Sequence, residues 1–384
     1  MKLCVASYAF FGWYIVHEMQ ALGVPLTYVT NLPPWFWGDI NRSRLNFSAG
    51  SCALHYLANV SQFSRESRLP QLSVRYFDNF LGKCINDVDL LHVFSSFGSK
   101  SVLKAKSLGS KIVIERGSSH ILEQRRILEF EFDRFGVKFP GVENWIIERE
   151  LQDYENADVL IVQSQFAKET FLARGVSSDK LVSVPLPFNA SEFNCDLIHD
   201  DSFINGATEF SVLYSGAISI RKGSHIFVEV AKKFANDRDI KFHLSGFLTP
   251  ELQQLVYEKS DFVRFLGPTD REQLPRLFSA ASVFLLPTVE DGFARVILEV
   301  MAMGTPVICT RNCGGADFIE SGKDGFVVDI GDVDSIETII RTLHRDRDYL
   351  RYVSDNARQT AINFGSDRDH GERLLKVYES LLHI

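Results

Sequence analysis

Short apolar runs alternate with amphipathic stretches along nearly the whole chain, and this rhythm constrains the fold more than any single motif. A run of four to six apolar residues reads as a strand covered on both faces. The amphipathic stretch that follows reads as the helix crossing back over the sheet. Strands are expected at Lys2–Ser7, Leu26–Thr30, Leu90–Phe94, Lys111–Glu115, Val159–Gln163 and Lys180–Val184. A second series is expected at Phe210–Ser215, Lys241–Ser245, Val263–Leu266, Val283–Pro287 and Pro306–Cys309. Helices fit between them at Ser99–Ser107, Ala167–Arg174, Ser224–Phe234, Glu251–Lys259, Arg271–Ala280 and Arg295–Met303. The polar, aperiodic stretch Asn189–Glu209 divides the two series. The chain is therefore read as α/β, with two Rossmann-like domains facing a central cleft. The N-terminal domain covers 1–189, a linker 190–209 and the C-terminal domain 210–365, and the last helix within 366–384 packs back on the first domain. In such sheets ligands sit at the carboxyl ends of the strands, so both domains aim their sites into the cleft.

Composition narrows the partners. With 384 residues, 45% hydrophobic and 23% charged, the chain is neither disordered nor a coiled coil. A net charge of −8 argues against bulk nucleic-acid binding. The charge is uneven: residues 1–190 carry 20 basic and 19 acidic side chains, residues 191–384 carry 21 and 30. An anion bound by the acidic half must be held by local groups rather than by the net field. No 18-residue apolar run is present, and the N-terminus reads as a first strand and helix rather than a signal peptide. A cytoplasmic location is expected. The six cysteines lack metal-binding spacing and read as free thiols. No P-loop, zincin or Gly-x-Ser-x-Gly motif occurs.

The segment Pro287–Ile308 carries the sharpest chemical signal. An apolar strand ends at Pro287, a loop with Glu290, Asp291 and Gly292 follows, and a helix is expected to open near Phe293–Ala294. Amides at such a helix start can hold a phosphate. Asp291 and Glu299, with seven residues between them, can both face one small ligand and accept hydrogen bonds from its hydroxyls, as a sugar nucleotide requires. The same residues also read as a surface loop capped by acids, with Glu299 on a solvated face. Upstream, Leu213–Gly223 runs from a strand through Gly216 to Lys222-Gly223. There a glycine permits close backbone approach and a lysine can meet a phosphate as a point charge.

Glu290–Ile308 resembles the signature of retaining glycosyltransferase family 4, acid-Gly-Phe-Gly-x4-Glu-x-Met-Ala-x-Gly-x-Pro-Val, a family of the GT-B fold. Asp291 stands at the family's first acid and Ala294 at its second glycine. The resemblance implies that Asp291 contacts the transferred sugar, Glu299 the nucleotide ribose, and the Phe293, Ala294 and Arg295 backbone the diphosphate. The Gly216 loop resembles the family's Gly-Arg-x4-Lys-Gly diphosphate site, with Ala217 in place of the arginine. Lys222 is then the surviving cation, and whether Arg221 turns inward to replace the missing one stays open. Phe262–Pro268, with Arg264 and Leu266, resembles the base-binding strand end. Cys313–Asp317 and Gly322–Gly325 resemble the later glycine pattern, or are simply two tight turns.

The first half resembles the family less closely. Of its glycine loop after the first strand only Gly12 stands. At the strand end where many members place a histidine, Arg116 aligns, suited to neutralising a departing phosphate. His120, four residues on, either caps a helix or touches the acceptor. Gln163–Phe166 resembles a cleft-lining stretch. Pro33–Trp37 reads as ordinary loop packing, as the wall of an acceptor site, or as a peripheral contact with a membrane. The arginines near 116–134, interleaved with acids in Glu123–Arg134, read as a solvated helix face.

The resemblance implies a metal-independent, retaining glycosyltransferase without a cofactor. Its donor would be a nucleotide-diphosphate sugar and its acceptor a glycan or lipid-linked molecule, in cell-surface polysaccharide or glycoconjugate synthesis. Two alternatives stand beside it: a non-catalytic sugar-nucleotide-binding partner of another transferase, and another GT-B sugar enzyme such as an epimerase.

Overall fold

Branched apolar side chains pack well on a pleated surface covered from both sides, and the Val-, Leu- and Ile-rich runs of this chain form two such sheets. The computed structural model describes residues 1–9, 12–38, 40, 44–60, 68–194, 209–252, 262–364 and 367–384. The first sheet has seven parallel strands: β1 (Leu3–Ser7), β2 (Leu26–Thr30), β3 (Leu45–Phe47), β4 (Leu90–Phe94), β5 (Lys111–Arg116), β6 (Val159–Val162) and β7 (Leu181–Ser183). Their order is β3-β2-β1-β4-β5-β6-β7. The second sheet has six: β8 (Phe210–Ser215), β9 (Ile240–Ser245), β10 (Arg264–Gly267), β11 (Val283–Leu286), β12 (Val307–Thr310) and β13 (Phe326–Val328), ordered β10-β9-β8-β11-β12-β13. The winding reverses between β1 and β4 and again between β8 and β11. Such switch points open a crevice at the strands' carboxyl ends.

The strands lie within two residues of their expected bounds. Only β3 and β13 escape the sequence reading, each three residues long and so too short to show a period. Lys180 belongs to a 3₁₀ turn, Ser178–Lys180, rather than to β7. Most of the expected linker (195–208, with Cys195) and of the helix expected at Glu251–Lys259 (253–259) falls outside the described residues. The other five cysteines are free thiols. Among the described residues no helix is long and apolar enough to cross a membrane.

One helix corrects the sequence reading. Ile121–Arg134, expected as a solvated face, buries Leu128 and Phe132 in the core of the second domain. Its Glu131 lies 2.7 Å from the ring of His225, which is itself fully buried. Burial opposes ionisation of Glu131, but bonds from His225 and Arg134 outweigh it and hold the carboxyl down at about 2. Charge alternation along the sequence concealed this face because Glu131 counts as surface until its partner, 94 residues away, is known.

The last helix, Asp367–Leu382, packs on the first domain although it follows the second. Leu374 and Tyr378 are fully buried among Leu3, Val5, Ile15 and Trp37. Gly371 makes the approach possible, since a Cβ there would lie 2.9 Å from that of Glu18. Two polar ties fix the docking: His370 Nδ1 to Glu18 at 2.6 Å, and Tyr378 Oη to His92 Nδ1 at 2.6 Å. Tyr378→Phe leaves a buried ring nitrogen without its partner. We expect it to lower unfolding stability by about 1–3 kcal/mol, read from urea denaturation of the intact chain. A variant as stable as the wild type would mean that apolar burial alone docks the helix.

Candidate active site

Between the two sheets lies a cavity of about 750 Å³. The first domain contributes Trp13, Tyr14, Phe94, Gly117 and Gln163 to its wall, and the second Lys222, Asp291, Phe293, Ala294 and Arg295. Gly117 and Gln163 follow β5 and β6, while Lys222 and Asp291 follow β8 and β11, so the wall is built from strand carboxyl ends.

The loop after β8 positions Lys222. Gly223 adopts φ +72°, and a Cβ there would lie 1.7 Å from the Pro287 carbonyl oxygen, so only glycine lets this turn rest on the end of β11. The Lys222 ammonium then pairs with the Asp291 carboxylate. Ala217 is exposed, and its carbonyl accepts a 2.6 Å bond from the Tyr214 hydroxyl. Arg221 points at the domain junction instead of standing in for the absent arginine. Its Nε lies 2.8 Å from Glu290 and its Nη2 donates to Ser118 Oγ at 3.0 Å.

The loop after β11 is tighter than the sequence suggested. The helix begins at Val296, not at Phe293–Ala294, which extends the loop through Arg295. Ala294 sits at φ +59°, a left-handed conformation that costs an L-residue about 1–2 kcal/mol and that a glycine adopts freely. Glu299 occupies the first turn of the helix and is nearly buried. It accepts a 3.1 Å bond from Arg271 Nη1 and lies 3.7 Å from Arg295 Nε. Arg271 also bridges to Glu192 at 2.8 Å and stacks over Phe193, 5.2 Å from the ring centroid. No sequence signal points to Arg271: it stands in a polar, charged turn where arginine is commonplace.

Glu290 is the residue that the sequence reading most undervalued. Fully buried, it accepts from Ser118 Oγ (2.5 Å), Ser119 N (3.0 Å) and Ser119 Oγ (2.7 Å) on one oxygen, and from Gln124 Nε2 (2.9 Å) and Arg221 Nε (2.8 Å) on the other. Burial opposes its charge, yet Arg221 and the donors from Gln124, Ser118 and Ser119 hold the carboxyl well below the usual carboxylate range. Beside it, a Cβ on Gly292 would lie 2.3 Å from the Gly117 carbonyl, so the two domains touch backbone to backbone.

Besides Arg221 and Glu299, five expected site residues stand away from the cavity wall: Arg116, His120, Arg264, Leu266 and Gly216. Arg116 turns to Glu150 (2.9 Å) and Gln124 (3.1 Å). His120 caps its helix by accepting from Leu122 N at 3.2 Å, with its ring 5.0 Å from both Tyr154 and Phe171. Burial, with Arg174 and Arg116 nearby, pushes its pKa down to about 4, so at neutral pH it is an uncharged cap. Arg264 lines a separate cavity at the outer edge of the second sheet, with Lys241 and His243. Leu266 is half-buried against the second core. Gly216 closes β8 at φ +144°, and its carbonyl leaves no room for a Cβ on Gly246 (1.7 Å), which the sequence reading passed over. Within Pro33–Trp37, Trp37 is buried and donates to Leu32 O at 3.3 Å, while Trp35 is 75% exposed. Among the described residues no group of three or more His, Cys, Asp or Glu could hold a metal ion.

Glu290→Gln keeps the shape of the junction and removes its charge. It should lower stability at neutral pH by about 1.5–3 kcal/mol, the scale of hydrogen bonds to a charged group. Because the folded-state pKa is depressed, this contribution is complete above the ordinary carboxylate pKa and fades as pH falls below it. The gap between wild type and variant in denaturation should therefore narrow from pH 5 downward. A gap independent of pH would exclude the charge as its source.

Residues 198–360 match the family model described as glycosyl transferases group 1. A D-inositol 3-phosphate glycosyltransferase of Corynebacterium urealyticum is 28% identical over 257 residues, covering 60% of this chain and 59% of that protein. The MMP α-(1→4)-mannosyltransferase of Mycolicibacterium hassiacum is 26% identical over 306 residues, 77% of this chain and 71% of that one. The chain thus spans about three fifths of the length of the first of these relatives. Among solved structures, the sucrose-phosphate synthase of Thermosynechococcus elongatus superposes with a TM-score of 0.76 over 100% of this chain and 99% of its own, at 20% identity. The chain has the GT-B fold, and its residues 198–360 are similar to the glycosyl transferases group 1 family.

Proposed function

We propose that this protein transfers a sugar, with retention of configuration and without a metal ion, from a nucleotide-diphosphate sugar to a glycan or lipid-linked acceptor. The observation that carries this reading is the Lys222–Asp291 pair in a cavity walled by the strand ends of both domains. When the diphosphate enters, Lys222 neutralises it and Asp291 is released to accept from a hydroxyl of the transferred sugar. The backbone of Phe293–Arg295 borders the same space. Glu299 exchanges the Arg271 bond for those of the ribose, and Arg271 and Arg295 are then at hand for the phosphates. Catalysis rests on setting the acceptor hydroxyl beside the leaving phosphate while Lys222 stabilises the charge that develops there.

The setting is proposed as cytoplasmic, in polysaccharide or glycoconjugate synthesis. Trp35 and Phe36, 75% and 51% exposed, support a peripheral contact with the membrane that would carry a lipid-linked acceptor. Ala217, together with the engagement of Arg221 by Glu290, favours one rival, a sugar-nucleotide-binding partner without turnover. Transfer or hydrolysis from any donor excludes that rival.

The direct test is thermal unfolding with UDP, GDP and ADP sugars. A donor present at 100 times its Kd stabilises the fold by about 2.7 kcal/mol. No response to any nucleotide sugar would overturn the reading. With the responding donor, Lys222→Ala should lose about 100- to 1000-fold in kcat, assayed in EDTA. Near-full activity of that variant would move the diphosphate elsewhere. Glu299→Ala should weaken the free nucleotide by about 1.5–3 kcal/mol in calorimetry. Unchanged affinity in a folded variant would remove Glu299 from the ribose site.

A further inference from the structure

The two walls of the cavity differ in kind. Its second-domain wall carries Lys222, Arg271, Arg295 and Asp291. Its first-domain wall, among the described residues, carries no ionised side chain: three aromatic rings (Trp13, Tyr14, Phe94), Gly117, Leu186 and the amide of Gln163, while Glu192, from the segment between the domains, pairs with Arg271 on the cationic side. A cavity divided in this way sorts its two ligands by charge. The anionic diphosphate belongs with the cations, and a phosphate on the opposite wall would meet no positive partner among the described residues that line it.

The polar groups of the aromatic wall sharpen the point. Behind it lies Glu115, buried, accepting 2.6 Å from the Tyr14 hydroxyl and 3.0 Å from Gln163 Nε2. Bonds from His92 and Tyr14 outweigh burial and keep Glu115 ionised. Tyr14 thus spends its only proton inward, and Gln163 spends an amide hydrogen. What they can offer toward the cavity is chiefly oxygen lone pairs, which suit hydroxyl donors and repel anions. Trp13 supplies the apolar part. Its indole is 45% exposed and is braced by the ring of His17 at 4.4 Å. The helix that carries it starts directly against Phe94, because Gly12 has no Cβ; one there would lie 2.6 Å from that ring. A rigid, half-open indole beside hydroxyl acceptors fits a pyranose, whose C–H face is apolar and whose rim is hydroxylated.

We infer that Trp13 is the platform for the acceptor, and that the part of the acceptor entering the cavity is an uncharged sugar ring, not a phosphorylated one. This rests on the transferase reading above. The test saturates the wild type with the nucleoside diphosphate of the responding donor. It then titrates methyl glucoside, galactoside, mannoside and N-acetylglucosaminide, and the 6-phosphate of each, by calorimetry and tryptophan emission. At least one neutral glycoside should bind and change the emission, and its 6-phosphate should bind more weakly. Trp13→Ala should weaken that glycoside by about tenfold, Trp13→Phe should retain most of the affinity without the emission change, and nucleotide affinity should be equal in all three proteins. Tighter binding of a 6-phosphate, no binding of any neutral glycoside, or a Trp13→Ala protein with wild-type glycoside affinity would each overturn the inference. A wild type that binds no nucleoside diphosphate would instead overturn the transferase reading on which it rests.

Discussion

The buried carboxylate of Glu290 determines how the two halves of this protein meet. An ion of that size in a low-dielectric interior is tolerated only when its lone pairs are filled, and here five donors fill them. Four of the five come from the first domain, through Ser118, Ser119 and Gln124. The loop after β11 cannot move without breaking these bonds, and the Gly117–Gly292 contact leaves no space for it to slide. Since Asp291 is the next residue, the same bonds fix the acid that faces the cavity. The junction is therefore also the mount of the site.

The second domain's fold and its main motif were legible in the sequence because both are local. Strand periods, the Lys222-Gly223 turn and the spacing of Asp291 and Glu299 are written within short windows. What the sequence concealed was long-range pairing. Glu290 and Ser118 are 172 residues apart, His225 and Glu131 are 94 apart, and neither pair leaves a trace in composition or period. The same limit explains the readings that shifted. Arg116 and His120 follow a strand end that points toward the cleft, so position alone nominated them. The partners that hold them, Glu150 in one case and Tyr154 and Phe171 in the other, come from other helices. The direction of Arg221 is hidden for the same reason: it is set by a carboxylate, Glu290, that only folding brings near.

The departures from the family signature have different physical weights. At Ala294 the backbone keeps the left-handed turn a glycine would favour, so the chain retains the loop's shape and bears the strain, which the junction beside it can sustain. At Ala217 a charge is missing, and backbone geometry cannot replace a charge. Arg221 is held by Glu290, while Arg271 and Arg295 flank Glu299 on the far side of the loop. Besides Lys222, the cations that line the cavity are therefore Arg271, before β11, and Arg295, at the start of the helix after β11, rather than a residue of the turn after β8.

Behind the aromatic wall, a chain of buried polar groups leads away from the cavity. Glu115 receives Tyr14 and Gln163, lies 3.2 Å from His92, and His92 meets Tyr378 of the last helix. Apart from the half-buried Tyr14 the members are buried, so each depends on its neighbours to remain satisfied. The last helix, arriving from the far end of the sequence, therefore does more than cover apolar surface. It supplies the terminal hydroxyl of a chain whose first members, Tyr14 and Gln163, line the aromatic wall of the cavity. The double crossing of the chain between domains and the chemistry of that wall meet in one arrangement: an ionised carboxylate on β5, Glu115, that takes donors from the first helix and from a strand end and reaches the last helix through His92.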